Sequence, residues 1–298
     1  MRSRAFALPL VLWSIAFLMG LVLMLAGRVS DWLDRESLAE RTFRARQLAL
    51  NGLALGSHPE VSADDPLLLS GDEKSEGYRV RVTNEAGRVN PNFWVAQQNR
   101  EIFQRLFRAW QVGLEDQDPA IDGLVDWIDG DDFRSLAGAE SAEYFAQGLT
   151  GFPANRPLTS VREMEAVIGL APLLAEQDNW QELFTLWHSG PPNLQYADER
   201  LLQAVAGLSK EQCEMLFKLR AGADGVEGNK DDLIFQSVDQ AAKLLGISGA
   251  ELVGLQNFFG VTGNVRCVES TGFCYGRKHT IRVVLGGAGG GFLSWEER

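Results

Sequence analysis

Two short acidic runs hold the side chains best suited to chemistry in this chain. "DWIDGDDF" places Asp126, Asp129, Asp131 and Asp132 within seven residues, with Glu140 and Glu143 shortly after. "ADGVEGNKDDLIF" gathers Asp224, Glu227, Asn229, Asp231 and Asp232 around Gly225 and Gly228. Ca²⁺ takes roughly six to eight oxygen ligands at flexible geometry, and glycine permits the tight turns that bring such ligands together. Carboxylates this close repel one another unless a cation stands among them, so both runs are candidate calcium sites. Neither carries the ligand Glu that ends an EF-hand loop. The plainer alternative is a pair of solvated loops at helix ends.

Other chemistries find less support. His58, His188 and His279 are far apart, and the cysteines, Cys213, Cys267 and Cys274, form no CxxC pair, so zinc spacing is absent. Paired carboxylates suit glycosidase work, but an oxygen-rich turn explains them with fewer assumptions. His188 and Ser189 adjoin in sequence, which does not make a triad. Trp127, Trp180 and Trp187 read as core. No phosphate loop is present, and "GGAGGG" lacks the strand-before, helix-after setting of a dinucleotide fingerprint. The expectation is a non-enzymatic protein. With three cysteines at most one internal disulfide can form. Cys267 and Cys274 are the closest in sequence, and unread strand register leaves their pairing open.

The elements that position these runs begin with a greasy segment. Leu8 to Ala26 is a stretch of 19 uncharged residues, close to the ~20 that cross a bilayer as helix. Arg2 and Arg4 precede it, which keeps that end cytoplasmic. Its end, "LMLAGRVS", matches a secretory cleavage site poorly. No Gly or Pro stands between Arg28 and Asn51, and Leu33, Ala39, Phe43, Ala45, Leu48, Ala49 and Leu53 form a loose apolar stripe. The spacing predicts one long helix that stops near Gly52–Gly56, with one face on a following domain.

Beyond it, "GYRVRVTNEAGRVNPN" alternates as a strand, then turns at Asn84–Gly87 into what reads as a second strand. A helical block follows, with Ile102, Leu106, Phe107 and Trp110 on one face. In "LTSVREMEAVIGL", Thr159 or Ser160 with Glu163 resembles a capping box. Another helical pair turns at Gly207, strands return in "GNVRCVESTGF" and "RKHTIRVVLGG", and the glycine-rich tail reads as loose. Strands on both sides of a helical block imply an α+β domain with helices inserted into it.

Composition agrees with a packed protein: 45% hydrophobic, 23% charged, net charge −12. That charge repels a nucleic-acid duplex. "AVIGL" and "AVAGLSKEQCEMLFKLR" have the form of helical hairpins that grip DNA phosphates, yet Glu163, Glu165, Glu211 and Glu214 surround them, so they read as packing devices.

Taken jointly, "FALPLVLW", "ARQLALNGLAL", "NEAGRVNPN", "DWIDGDDFRSLAGAESAEYF", "PLTSVREMEAVIGL" and "LLQAVAGLSKEQCEMLFKLR" resemble the type II secretion minor pseudopilins of the general secretion pathway protein K family. The resemblance covers nearly the whole length. It implies a basic leader over 1–5, a transmembrane and amphipathic helix over 6–56, a first part of a pilin-like α+β domain over 57–90, a helical insertion over 91–210, and remaining helices, acidic loop and strands over 211–298. It further implies prepilin peptidase processing between Ala5 and Phe6 with methylation, an inner-membrane anchor with the head in the periplasm, and assembly with minor pseudopilins I and J at the tip of a pseudopilus. Two features depart from the common pilin pattern: Ala5 replaces the usual Gly, and Leu10 stands where most pilins carry Glu. Lack of that Glu is typical of the K-type subunit and suits a subunit with no neighbour above. The alternative is a membrane-tethered type IV pilus or DNA-uptake subunit using its helical hairpins on nucleic acid.

Overall fold

A computed structural model describes residues 7–229, 231–286 and 291–298, with side chains from residue 10 onward apart from 26–37. Its first element is the helix α1, Ala7–Gly56. The C-terminal part of α1 lies across a sheet and buries Ala45, Ala49 and Leu53, positions four apart that share one helical face. Phe43, expected on that stripe, is instead 61% exposed, because its position falls outside the i, i+4 row. The helix can sit this low because the sheet yields to it: a Cβ on Gly272 would stand 2.0 Å from the Ala45 carbonyl oxygen. In the apolar N-terminal stretch, the described side chains of residues 10–25 are all exposed. Among the described residues no helix is long and apolar enough to cross a membrane.

Five antiparallel strands form the sheet in the order β1 (Leu69–Gly71), β2 (Glu76–Asn84), β3 (Arg266–Cys274), β4 (Arg277–Leu285) and β5 (Phe292–Glu297). Leu53, Val80, Val268, Ile281 and Val283 form its core under α1. β3 and β4 join through Tyr275 and Gly276, both at positive φ, the conformation of a tight hairpin turn. Cys267 and Cys274 therefore lie at opposite ends of one strand, about 23 Å apart at the rise of an extended chain. A disulfide needs Cα atoms within about 7 Å, so the pairing that the sequence left open does not form; both are free thiols, as is Cys213.

Two readings of strands are also corrected. No hairpin follows Asn84: the chain enters a 3₁₀ turn at Glu85–Gly87, and Val89 bridges to Phe184 instead. The tail over 292–297 is not loose but forms β5, because β4 offers it an open edge.

Residues 85–265 are inserted between the neighbouring strands β2 and β3. They contain α2 (Pro91–Ala96), α3 (Glu101–Ala109), α4 (Leu114–Ile128), α5 (Ser141–Ala146), α6 (Ala171–Ala175), α7 (Glu199–Leu201), α8 (Lys210–Arg220), α9 (Val238–Leu244) and α10 (Gly249–Phe258). One apolar core runs from Val89 to Phe259 and includes Phe103, Phe107, Trp127, Tyr144, Phe184 and Phe258. The helices on both sides of position 210 thus share it. At the neck, the Glu85 N–H donates to the Val265 carbonyl at 2.8 Å. The buried Glu85 carboxylate takes Arg88 at 3.0 Å and Arg282 of β4 at 2.6 Å. A buried carboxylate needs such partners, and these tie insertion to sheet.

Candidate functional site: two acidic loops on the insertion

The first acidic run straddles the end of α4. Asp122 and Asp126 lie one turn apart on its inner face, both buried, and the chain that follows wraps back over them. Both Asp126 oxygens accept the Ser135 N–H at 3.1 Å. Asp122 accepts the Ala137 N–H at 2.9 Å and pairs with Arg100. Gly138 is required by this wrap, since a Cβ there would stand 2.0 Å from Asp126 Oδ2. Arg134 and Glu143 close the loop onto α5 at 2.8 Å, and Glu143 also accepts the Glu140 N–H at 3.0 Å. Below lies an aromatic floor, with Trp127 stacked on Phe152 at 5.4 Å and 5.9 Å from Tyr144.

Among the described residues, several oxygens in this loop have no partner. Asp129 Oδ1, both Glu140 carboxylate oxygens and Asn155 Oδ1 are buried without a hydrogen bond. Asn155 arrives from downstream and donates to the Asp131 carbonyl and to Asp132 Oδ1, each at 3.0 Å. Burial first, then the charges of Asp126, Asp129, Asp132 and Asp131, push the Glu140 carboxyl up to about 7. Burial first, then the charges of Asp131 and Asp126, raise Asp129. Unpaired buried oxygens are costly, and an all-oxygen donor set fits a hard cation such as Ca²⁺. Among the described residues, no three His, Cys, Asp or Glu side chains converge on an ion position as they stand.

The second acidic run behaves differently. Asp224 accepts the Val226 N–H at 2.8 Å and the Asn229 side-chain amide at 2.8 Å. Asn229 accepts the Asp231 N–H at 3.1 Å, Asp231 accepts Ala223 N–H at 2.9 Å, and Asp232 accepts Gly228 N–H at 2.7 Å. The loop is laced by its own backbone; among the described residues, Asp232 Oδ1 is buried without a partner. Glu227 is raised chiefly by burial. It faces Arg220, whose buried guanidinium donates to the Ala197 carbonyl at 2.9 Å and is lowered by burial to about 10. This loop borders a cleft of about 1510 Å³ between sheet and insertion, lined in part by Arg81, Arg88 and Arg266.

Ala5 and Phe6, the expected processing site, lie outside the described residues. Glu140 of the first run is joined by Asn155, which composition did not point to; a lone Asn before Arg156 carries no signal. His188 is buried and bonds the Pro191 carbonyl oxygen at 3.0 Å.

A sheet packed under one long N-terminal helix, with a helical domain inserted between two adjacent strands, defines a mixed α+β protein. Residues 85–178 match the family model described as "Type II secretion system (T2SS), protein K". That segment, within the insertion, is therefore similar to protein K of the type II secretion system. Among solved structures the fold is similar to a chain of the GspK-GspI-GspJ complex from the enterotoxigenic Escherichia coli type II secretion system. The TM-score is 0.61 at 18% identity, covering 91% of this chain and 99% of that one. No match was found among curated proteins.

Proposed function

We propose that the protein is the minor pseudopilin at the tip of a type II secretion pseudopilus, where it starts assembly with subunits of the I and J kinds and supports export of folded proteins. The observation that carries this reading is the division of α1. Its C-terminal part is buried on the head through Ala45, Ala49 and Leu53, while residues 10–25 expose apolar side chains all round. A helix apolar on every side belongs in lipid or among other helices. Held in the inner membrane with its N-terminus cytoplasmic, it leaves lipid only when partner helices offer an equivalent apolar environment. The solved neighbour is a chain of a GspK-GspI-GspJ complex, which supports partners of that kind.

Two features favour the end of the fibre over its shaft. Leu10 cannot pair with the N-terminus of a subunit above, as a Glu there would. The insertion of residues 85–265 adds bulk to the head where a further subunit would stack. Cysteines placed on the insertion should crosslink to the distal end only; crosslinks spread evenly along the shaft would sink the tip placement. The mature N-terminus, read by mass spectrometry, should be Phe6.

Calcium belongs to the same proposal. Asp126, Asp129, Asp131, Asp132, Glu140 and Asn155 would hold it in the first loop, and Asp224, Glu227, Asn229, Asp231 and Asp232 are the lesser candidate. The ion would supply charge neutralisation and cross-bracing of the loop, not reaction chemistry. The residues themselves fasten the segment after α4 to its helix through the Asp126 and Asp122 hydrogen bonds.

A further inference from the structure

The cleft of about 1510 Å³ between sheet and insertion is larger than the ~300–1,000 Å³ that encloses a small molecule. Among the described residues Arg81, Arg88, Arg220 and Arg266 line it, and their partners divide them. Arg88 is neutralised by Glu85 at 3.0 Å. Arg220 is 2% exposed and donates to backbone carbonyls, those of Ala197 at 2.9 Å and of Leu194. Its Nε is buried with no partner among the described residues. Arg266 likewise donates to the Gly56 and Val61 carbonyls, at 2.9 and 2.7 Å. Arg81 is exposed on β2 and makes no ion pair among the described residues, although Glu269 stands opposite it on β3.

Arg282 shows what neutralisation does to a buried guanidinium. Burial is outweighed there by Cys267, Glu85 and Glu296, and its pKa rises. At Arg220 burial prevails over Glu227, Cys213 and Asp198 and lowers the group to about 10; at Arg266 burial acts alone. A buried charge without a counter-charge is destabilising. Most acids lining the cleft are committed elsewhere. Glu182 and Asp198 both hold Arg200 at 3.0 Å, and Asp232 accepts the Gly228 N–H at 2.7 Å. Glu60 and Glu227 alone among the described lining acids have no bonded partner for their carboxylates. Cations without a counter-charge thus outnumber the acids free to supply one.

We propose that this cleft is a docking groove for an extended acidic segment of a partner protein, whose side-chain carboxylates pair with Arg220, Arg266 and Arg81. Guanidinium forks match carboxylates in charge and in geometry. Three of them in one groove call for several carboxylates in a row, which a lone ion or a single chain terminus does not offer. A second copy of this chain fits poorly. Its Asp126 is buried, its Asp224, Asp231 and Asp232 are bonded to their own loop, and two chains of net charge −12 repel. The proposal rests on neither the tip nor the calcium reading.

The test uses the full-length protein in neutral detergent micelles near physiological salt, with EDTA present so that no metal bridges one acid to another. Fluorescence anisotropy follows a fluorescein-labelled, C-terminally amidated GDEDEG peptide, with amidated GNQNQG as its uncharged control. The acidic peptide should bind saturably, and the control roughly tenfold more weakly or not at all. Arg220→Gln should weaken the acidic peptide roughly thirtyfold, the weight of one charge-assisted pair. Because Arg220 is buried, Arg81→Gln supplies a variant at an exposed side chain, with an expected loss of roughly threefold and an unchanged circular dichroism spectrum. Glu227→Gln should tighten binding roughly threefold by removing a competing carboxylate. Equal binding of the two peptides, no saturable binding, or no loss with Arg81→Gln would overturn the proposal. So would a Glu227→Gln protein that is less stable and binds no better, since Glu227 would then be the partner of Arg220. Crosslinked dimers dispersed by the acidic peptide would give the groove to a second copy and overturn it likewise.

Discussion

The two acidic loops look alike in sequence and differ in where their oxygens point. In the second, the carboxylates of Asp224, Asp231 and Asp232 each accept loop N–H groups, so the turn is held by ordinary side-chain-to-backbone bonds. In the first, Asp126 and Asp122 do that work from a rigid helix, while Asp129, Glu140 and Asn155 keep buried oxygens without partners. Acid content therefore does not identify a cation site. Unmet acceptors do.

That contrast can be broken most severely at Asp126. Asp126→Ala removes the acceptor that holds the wrapped segment and should destabilise the protein by about 3 kcal/mol, as expected when a buried charged hydrogen-bonding group is lost. Urea titration should show it, and a loss below about 1 kcal/mol would mean that the wrap is held elsewhere.

Next in size is calcium. At a hundred times its dissociation constant it should stabilise the protein by about 2.7 kcal/mol. Scanning calorimetry with calcium and with EDTA measures this. Glu140→Gln should remove most of the rise, and Asp231→Ala with Asp232→Ala should remove the smaller part. The reverse ranking would transfer the site to the second loop, and no shift with EDTA would remove the metal from the account.

A third effect is on pH. Glu140 sits at about 7 in the fold against an ordinary 4.5. The folded state thus binds the extra proton between those values, and stability without calcium should fall as pH rises from about 4.5 to about 7. Below that window the carboxyl is protonated in both states, and no penalty applies. Glu140→Gln should flatten the slope, measured by denaturation at several pH values; an unchanged slope would assign the dependence to other groups. The smallest effect belongs to Asp231→Asn, on an exposed loop, with an expected loss of about 1 kcal/mol or less.

How far these features were legible follows from their range along the chain. The periodicity of Ala45, Ala49 and Leu53 and the alternation of Tyr78, Val80 and Val82 are local, and each predicted its element. β5 was not legible, because a glycine-rich approach hides a strand whose existence depends on the free edge of β4. The supposed hairpin after Asn84 failed for the same reason, since Val89 finds its partner at Phe184. Cysteines seven positions apart look pairable until a straight strand separates them.

In the candidate site, residue types marked both loops. Yet Asn155 meeting Asp132, and Glu85 meeting Arg282, join positions far apart in the chain. Hydropathy and spacing alone thus establish a long apolar helix, an alternating sheet and two clusters of acid, because those properties repeat over a few residues. Which carboxylates are satisfied, which strand edge stays open and which cysteines can meet depend on register and wrapping. Those are set by contacts between distant segments, where burial makes an unpaired oxygen or a displaced backbone expensive.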